Sequence, residues 1–251
     1  MRSFEIGSTF ARTAGLVART WRSAGIFLLL VQMVNYAASF ALIATLGVSA
    51  TFSHNIAGSI SLISGVVFGF LALYLLTMAA GMAGVTGALL KADRGEDVTV
   101  GDSVTAAAQM TLPVLGLTIL WFIGVYLGFI LLIVPGCMLL AAWSVSVPAL
   151  VAEEAGVFGA FARSRTLTKG FRFKIFLALL LAIVAMYLGF AALAFLWADA
   201  LSNAGFYGAI ALLVGIVAAT ILTLLTIQAL LVAIYGELID LKGDRVMDVF
   251  N

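Results

Sequence analysis

The sequence predicts an all-α fold: a polytopic helical membrane protein with six transmembrane helices, in one integral membrane domain covering residues 1–251. Three observations carry that prediction. Apolar residues make up 64% of the chain and charged residues only 10%, against roughly a quarter charged in a soluble domain. The apolar residues form long continuous runs, and a helix needs about 20 of them to cross a hydrocarbon core. The short alternating segments of a transmembrane barrel are not seen. Finally, all 13 Lys and Arg fall in four short segments between those runs: the first 22 residues, 91–94, 163–174 and 242–245.

Taken in order, the chain opens with a polar segment in which Phe10, Ala14, Val17 and Trp21 follow helical spacing, with Arg12 and Arg19 elsewhere on the wheel. That pattern predicts an amphipathic helix on the cytoplasmic face. The first apolar run, about 25–47, is longer than the core of a secretory signal and follows polar chain, so it is expected to stay as the first span. A second span is expected at about 60–82, where Ser61, Gly65 and Gly69 repeat every four residues. Small residues so spaced let helices approach closely. Gly81, Gly84 and Gly87 follow no strand, which excludes a nucleotide-binding loop and leaves the same packing role. Further spans are expected at about 112–134, with Gly124 and Gly128 as another seam, and at about 137–152, 174–198 and 206–232. Asp102 or Ser103 is the expected cap of a helix leading into the third span.

The break at Pro135-Gly136 separates a long span from a short one. As a kink in one helix it would leave five spans and move the seven later cations to the other side of the membrane. As a hairpin tip it keeps all four cationic segments on one side. Cytoplasmic loops carry the excess of Lys and Arg, and Pro with Gly suits a tight turn. Six spans with both termini cytoplasmic follow. The opposite face then shows only GVSATFSHNIAG, the Pro-Gly tip and WADALSNAG, with Asp199 its one carboxylate and His54 its one imidazole.

FARTAGLVARTWRSAGIFLLL and FARSRTLTKGFRFKIFLALLL share Phe-Ala-Arg-hydroxyl and an Ile-Phe-Leu entry to a span, and VGDSVTAAAQMTLPVLGLTIL is a weaker third version. The likeness fits three units, each an interfacial helix followed by a helix hairpin. Shared composition at the membrane boundary produces the same likeness without a repeat.

Candidate chemistry is sparse. One His and one Cys leave no Cys–His pair and no zinc helix, and a lone Cys137 makes no intrachain disulfide. No cofactor is expected, and a net charge of +1 points to no nucleic-acid partner. Polar side chains within spans cost free energy and so are informative. Gln32 and Asn35 share a helical face, and Gln228 lies in the cytoplasmic part of the last span. They fit either interhelical hydrogen bonds or the polar lining of a cavity. After Glu153-Glu154 comes GVFGAFARSRTLTKG, a short helix with Val157, Phe158 and Phe161 to enter the interface. Arg163, Arg165, Lys169, Arg172 and Lys174 are its candidate contacts to phosphate or anionic lipid; the same cations also fit simple positive-inside anchoring.

The stretch from Pro135-Gly136 through Trp143, Pro148 and Glu153 to Ala160, Arg163, Ser164, Leu167, Thr168 and Gly170 resembles the glycerophosphoryl diester phosphodiesterase membrane domain family. LLKADRGEDVTVGDSV and AIYGELIDLKGD extend the likeness over most of the chain. The resemblance implies a bacterial inner-membrane protein near glycerophospholipid metabolism. It does not carry over the activity of the hydrolase that gives the family its name, which needs paired histidines and a separate barrel. The expectation is a non-enzymatic membrane component that binds or moves a lipid-like or small amphiphilic molecule, with anionic head groups at its cytoplasmic face. The alternative is a structural or regulatory subunit docking another membrane protein. The topology has a direct check: single cysteines at Ser53 and Ser202 are expected to label from outside the cell and those at Ser103 and Thr166 are not. External labelling at Thr166 overturns the hairpin.

Overall fold

The computed structural model describes the backbone of residues 4–52 and 56–250, and the side chains of these except 46–52, 56–63, 196–207, 209, 212 and 244–250. His54 therefore lies outside the described residues, and the side chain of Asp199 is not described. The chain forms α1 (Ile6–Thr20), α2 (Ser23–Phe52), α3 (Ile56–Asp93), α4 (Val100–Leu131), α5 (Ile133–Ala142), α6 (Ser146–Glu153), α7 (Gly156–Thr168) and α8 (Arg172–Phe250), with no strand among the described residues. Six segments are long and apolar enough to cross a membrane: Ser23–Thr45, Ser64–Asp93, Val100–Leu131, Ile133–Glu153, Arg172–Phe195 and Leu213–Gly243. In hydrocarbon only structures that satisfy every backbone group internally are stable, which is why these runs are helical.

Although helical throughout, α8 is not one straight rod. Lys174 Nζ donates to the Phe4 carbonyl at 2.9 Å, and Glu237 Oε1 accepts from the Glu5 amide at 3.1 Å. A straight helix would hold residues 174 and 237 roughly 95 Å apart, at about 1.5 Å per residue. The chain therefore reverses between its two spans. The loop expected at WADALSNAG is not there, because backbone 197–205 is helical.

The first hairpin break also differs from expectation. The extended residue is Leu132, with φ −167° and ψ 154°, and Pro135 and Gly136 already belong to the first turn of α5. Proline is tolerated in a first turn because amides there have no intrahelical acceptor. Gly136 serves packing: a Cβ on Gly128 would meet the Gly136 Cα at 3.2 Å and Leu139 at 2.8 Å. The hairpin stands, displaced by three residues and closed by two glycines in contact. The cap of α4 is Thr99, whose hydroxyl accepts from the Asp102 amide while Asp102 caps Thr99 in return. Ser103 is buried instead. No separate interfacial helix precedes the third span, since α4 runs on through Pro113.

On α1 the buried stripe is Thr9, Thr13, Leu16 and Thr20, one position round from the apolar stripe that spacing predicts. Trp21 remains 56% exposed. The threonines bury without orphaned hydroxyls because Thr9, Thr13 and Thr20 donate to the carbonyls of Glu5, Thr9 and Leu16. Their small size lets α1 lie against the end of α8, where Glu237 also accepts from Ser8 and Thr9. Arg12 completes the joint. It binds Asp93 with Nε at 2.8 Å and Nη2 at 2.7 Å, and Asp240 with Nη1 at 2.9 Å. Gly236 makes room, since a Cβ there would stand 2.9 Å from Asp93 Oδ2 and against the guanidinium. Hydrogen bonding to Asp93 raises the Arg12 pKa further, against the opposing effect of burial, so the guanidinium stays charged at any pH the protein meets.

Burial follows the same polarity. The main core joins Phe27, Leu28, Val85, Leu89, Ile175, Leu230 and Ile234, all near the cation-bearing end. Toward the opposite end Phe40, Ile43, Phe68, Leu188 and Leu213 are exposed. Burial among the described side chains is thus concentrated at the cation-bearing end. There backbones touch: a Cβ on Gly84 would lie 2.6 Å from the Ser103 carbonyl oxygen and overlap the Phe27 ring. Gly87 abuts Ala106 in the same way. Gly65 and Gly69 have nothing within 4 Å, so the seam expected there packs against none of the described residues, while Ser61 lies among the side chains not described. Gly84→Leu is therefore expected to lower the melting temperature in detergent, by about 1–3 kcal/mol of overpacking strain, and Gly65→Leu to leave it unchanged. Equal effects would contradict the packing described.

Candidate ligand cavity and cationic end

The helices enclose a cavity of about 410 Å³, between α2, α3, α4, the α5–α6 junction and α8. Its size is in the range of small-molecule sites, roughly 300–1,000 Å³. Leu28, Val31, Met78, Met82, Leu117 and Leu224 give it a mostly apolar wall. None of its lining residues is Lys, Arg, Asp, Glu or His.

The three polar residues singled out within spans all line this one cavity. Gln32 and Asn35 face it together because three residues is almost one helical turn. Asn35 Nδ2 donates to Gln32 Oε1 at 3.1 Å, and Thr77 of α3 donates to Asn35 Oδ1 at 2.6 Å. Across the cavity Gln228 Oε1 accepts from the buried Thr86 at 3.4 Å. The two uses the sequence leaves open are thus combined: these side chains bond between helices and line a cavity.

Four further polar groups in this region are not legible from spacing. Thr77 and Thr86 join the network from α3, and Thr118 and Trp143 stand in the cavity wall. The Oγ1 of Thr118 and Nε1 of Trp143 are buried with no hydrogen-bond partner among the described residues. Trp143 sits where α5 ends and the chain turns into α6. Its ring fills the space left by Gly124, whose Cβ would be 2.6 Å from Trp143 Cη2, and lies 4.8 Å from the Phe161 ring. This confirms Gly124 and Gly128 as a packing seam, and explains why the first of them is small.

The five candidate phosphate contacts have different surroundings. Arg163 Nε binds Glu153 Oε1 at 2.7 Å, and the Tyr235 hydroxyl donates to the same oxygen at 2.9 Å. Lys174 is held by the Phe4 carbonyl. Arg172 Nε is buried without a partner, while Arg165 and Lys169 are exposed and unpaired among the described residues. Glu153 is thus the partner of Arg163 more than a helix-start charge. Of the three side chains expected in the interface only Phe158 is exposed, at 80%. Val157 and Phe161 pack into the second core cluster with Leu150 and Ala160, because Trp143 occupies the side of α7 that they face.

Arg12 and Arg163 hold equivalent places in the two Phe-Ala-Arg segments, and each pairs with a carboxylate at the end of a span. The next residues, Thr13 and Ser164, are both buried, as are Leu16 and Leu167. Comparison of the chain with known protein families, with curated proteins and with solved structures finds no match.

The division among the cations has a measurable consequence. Arg163→Gln breaks the ion pair with Glu153, leaving the carboxylate to Tyr235 alone, and is expected to cost about 1 kcal/mol, as a half-exposed ion pair does. Arg165→Gln is expected to change stability by under about 0.5 kcal/mol. Thermal unfolding of the two variants in one detergent compares them; a larger loss at Arg165 would contradict the assignment.

Proposed function

We propose that this integral membrane protein is a non-enzymatic component of the bacterial inner membrane that binds or moves a lipid-like or small amphiphilic molecule. The cavity carries this reading: an apolar chamber within the membrane-spanning helices, with the amide groups of Gln32, Asn35 and Gln228 on its wall. Polar side chains at that depth cost free energy unless they bond, and here Asn35 bonds to Gln32 and Thr77, and Gln228 to Thr86, while all three amides keep a face on the space. Tyr74 and Phe122 stand in the wall and are also 42% and 53% exposed, so the cavity opens sideways onto the surface that lipid covers. A molecule partly dissolved in the bilayer reaches it without entering water.

The cationic end complements this role at the cytoplasmic face, with both termini on that side. Arg165, Lys169 and Phe158 project from α7 with no partner of their own among the described residues. A cation near an anionic leaflet contributes about 1 kcal/mol of attraction. Arg163 and Lys174 have structural partners, so the head-group contacts fall to Arg165 and Lys169. A place near glycerophospholipid metabolism rests on the sequence resemblance alone, since no family model matches the chain. A docking subunit is the second reading. One observation favours it: Gly65 and Gly69 are open on the outer surface beside exposed Phe68.

Gly81→Leu separates the two. Gly81 lines the cavity, and a Cβ there meets only Val31 at 3.6 Å and Leu28 at 3.7 Å, ordinary contacts. The rest of the leucine fills the chamber, and leucine suits a helix better than glycine by up to about 1 kcal/mol. Mass spectrometry of amphiphiles that co-purify from native membranes is expected to show a species present in the wild type and depleted in the variant, with melting temperature maintained. Equal retention in both would reject the cavity as the site.

A further inference from the structure

The hydrogen-bond capacity left on the cavity wall narrows the ligand class, given that the cavity is a binding site as proposed above. Each amide oxygen there already accepts a bond: Gln32 Oε1 from Asn35, Asn35 Oδ1 from Thr77, and Gln228 Oε1 from Thr86. The donors that remain without a partner among the described residues and are open to the space are the Nε2 groups of Gln32 and Gln228; the Thr118 hydroxyl and the Trp143 indole N–H also lack partners, but both atoms are shut off from the cavity by their neighbours. A buried donor left unmatched costs about 1–3 kcal/mol, so a ligand that supplies an acceptor gains what the empty wall lacks.

The wall also has no charge. An anion would bring acceptors, but it would have to leave water for a membrane-buried chamber with no cation beside it, which is strongly unfavourable. The guanidinium of Arg172 is no substitute. It lies at the start of α8, two helical turns before Leu179, the cavity-lining residue on the same face. We infer that the cavity selects uncharged amphiphiles carrying a carbonyl-type oxygen, such as an ester, on a single apolar chain, with the side-chain N–H groups of Gln32 and Gln228 as the donors that read that oxygen.

Three probes of one chain length isolate the chemistry: methyl oleate (neutral, acceptor only), oleate at alkaline pH (anionic acceptor) and 1-octadecene (no acceptor). Binding of each radiolabelled probe to the purified full chain in detergent is measured by equilibrium dialysis, for wild type, Gly81→Leu, Gln32→Met and Gln228→Met. Gln32→Met and Gln228→Met each replace an amide donor by an apolar side chain of similar length, and melting temperatures report whether either disturbs the fold. Methyl oleate is expected to bind saturably, more tightly than the other two. Each donor deletion is expected to weaken it roughly three- to tenfold, as the loss of one neutral hydrogen bond does, while leaving 1-octadecene unaffected. Gly81→Leu is expected to abolish binding. If oleate or 1-octadecene binds as tightly as methyl oleate, or if methyl oleate binds both folded donor variants unchanged, the selectivity inference falls and the cavity remains a site for amphiphiles. If no probe shows saturable binding that Gly81→Leu removes, the cavity reading falls with it.

Discussion

Arg12 between Asp93 and Asp240 is the interaction on which the rest of the structure depends. It ties an amphipathic helix to the ends of two membrane spans that are far apart in sequence. Water supplies no hydrophobic drive between helices in lipid, so association rests on close packing and polar bonds. In this chain both are concentrated at one end. Glu237 fastens the start of α1, Gly236 admits the guanidinium, and Lys91 binds Asp102 at 2.9 Å across the α3–α4 turn. Lys242 donates to the Thr166 carbonyl and draws α7 into the same assembly. Gly84 and Gly87 then let α3 and α4 touch just below it.

The cavity lies beyond this joint, between α2, α3, α4, the α5–α6 junction and α8. Its floor is fixed by a separate contact. Trp143 closes it beneath α7, held between Gly124 and Phe161. The side of the cavity toward lipid has no comparable closure, because Tyr74 and Phe122 stand at an exposed rim. A rigid base with an open side is a suitable form for taking an amphiphile from the bilayer.

Much of the fold was legible because hydrocarbon imposes one rule on every span. Run length and the positions of Lys and Arg give six segments and the hairpin before α5. Boundaries were less legible: Pro135-Gly136 looks like a turn, yet the chain turns at Leu132 because Gly136 is needed to meet Gly128. At the candidate site, Gln32, Asn35 and Gln228 stand out since amides in an apolar run are costly. Thr77, Thr118 and Trp143 do not, because their roles depend on the register between helices, and a threonine in a span can satisfy itself on its own backbone. The WSVS interruption around Trp143 was the one local signal. The cations show the same limit. Spacing groups Arg163 with Arg165, but only the fold shows that Glu153 and Tyr235 hold the first.

A locked end beside an occupied chamber is most directly tested by a high-resolution structure of the protein in nanodiscs of its native lipid. The account predicts an elongated density between α2, α3, α4 and α8, in contact with Gln32, Asn35 and Gln228, above an intact Arg12–Asp93–Asp240 joint. Helices packed tightly along their whole length, with these three amides separated and no chamber between them, would contradict it.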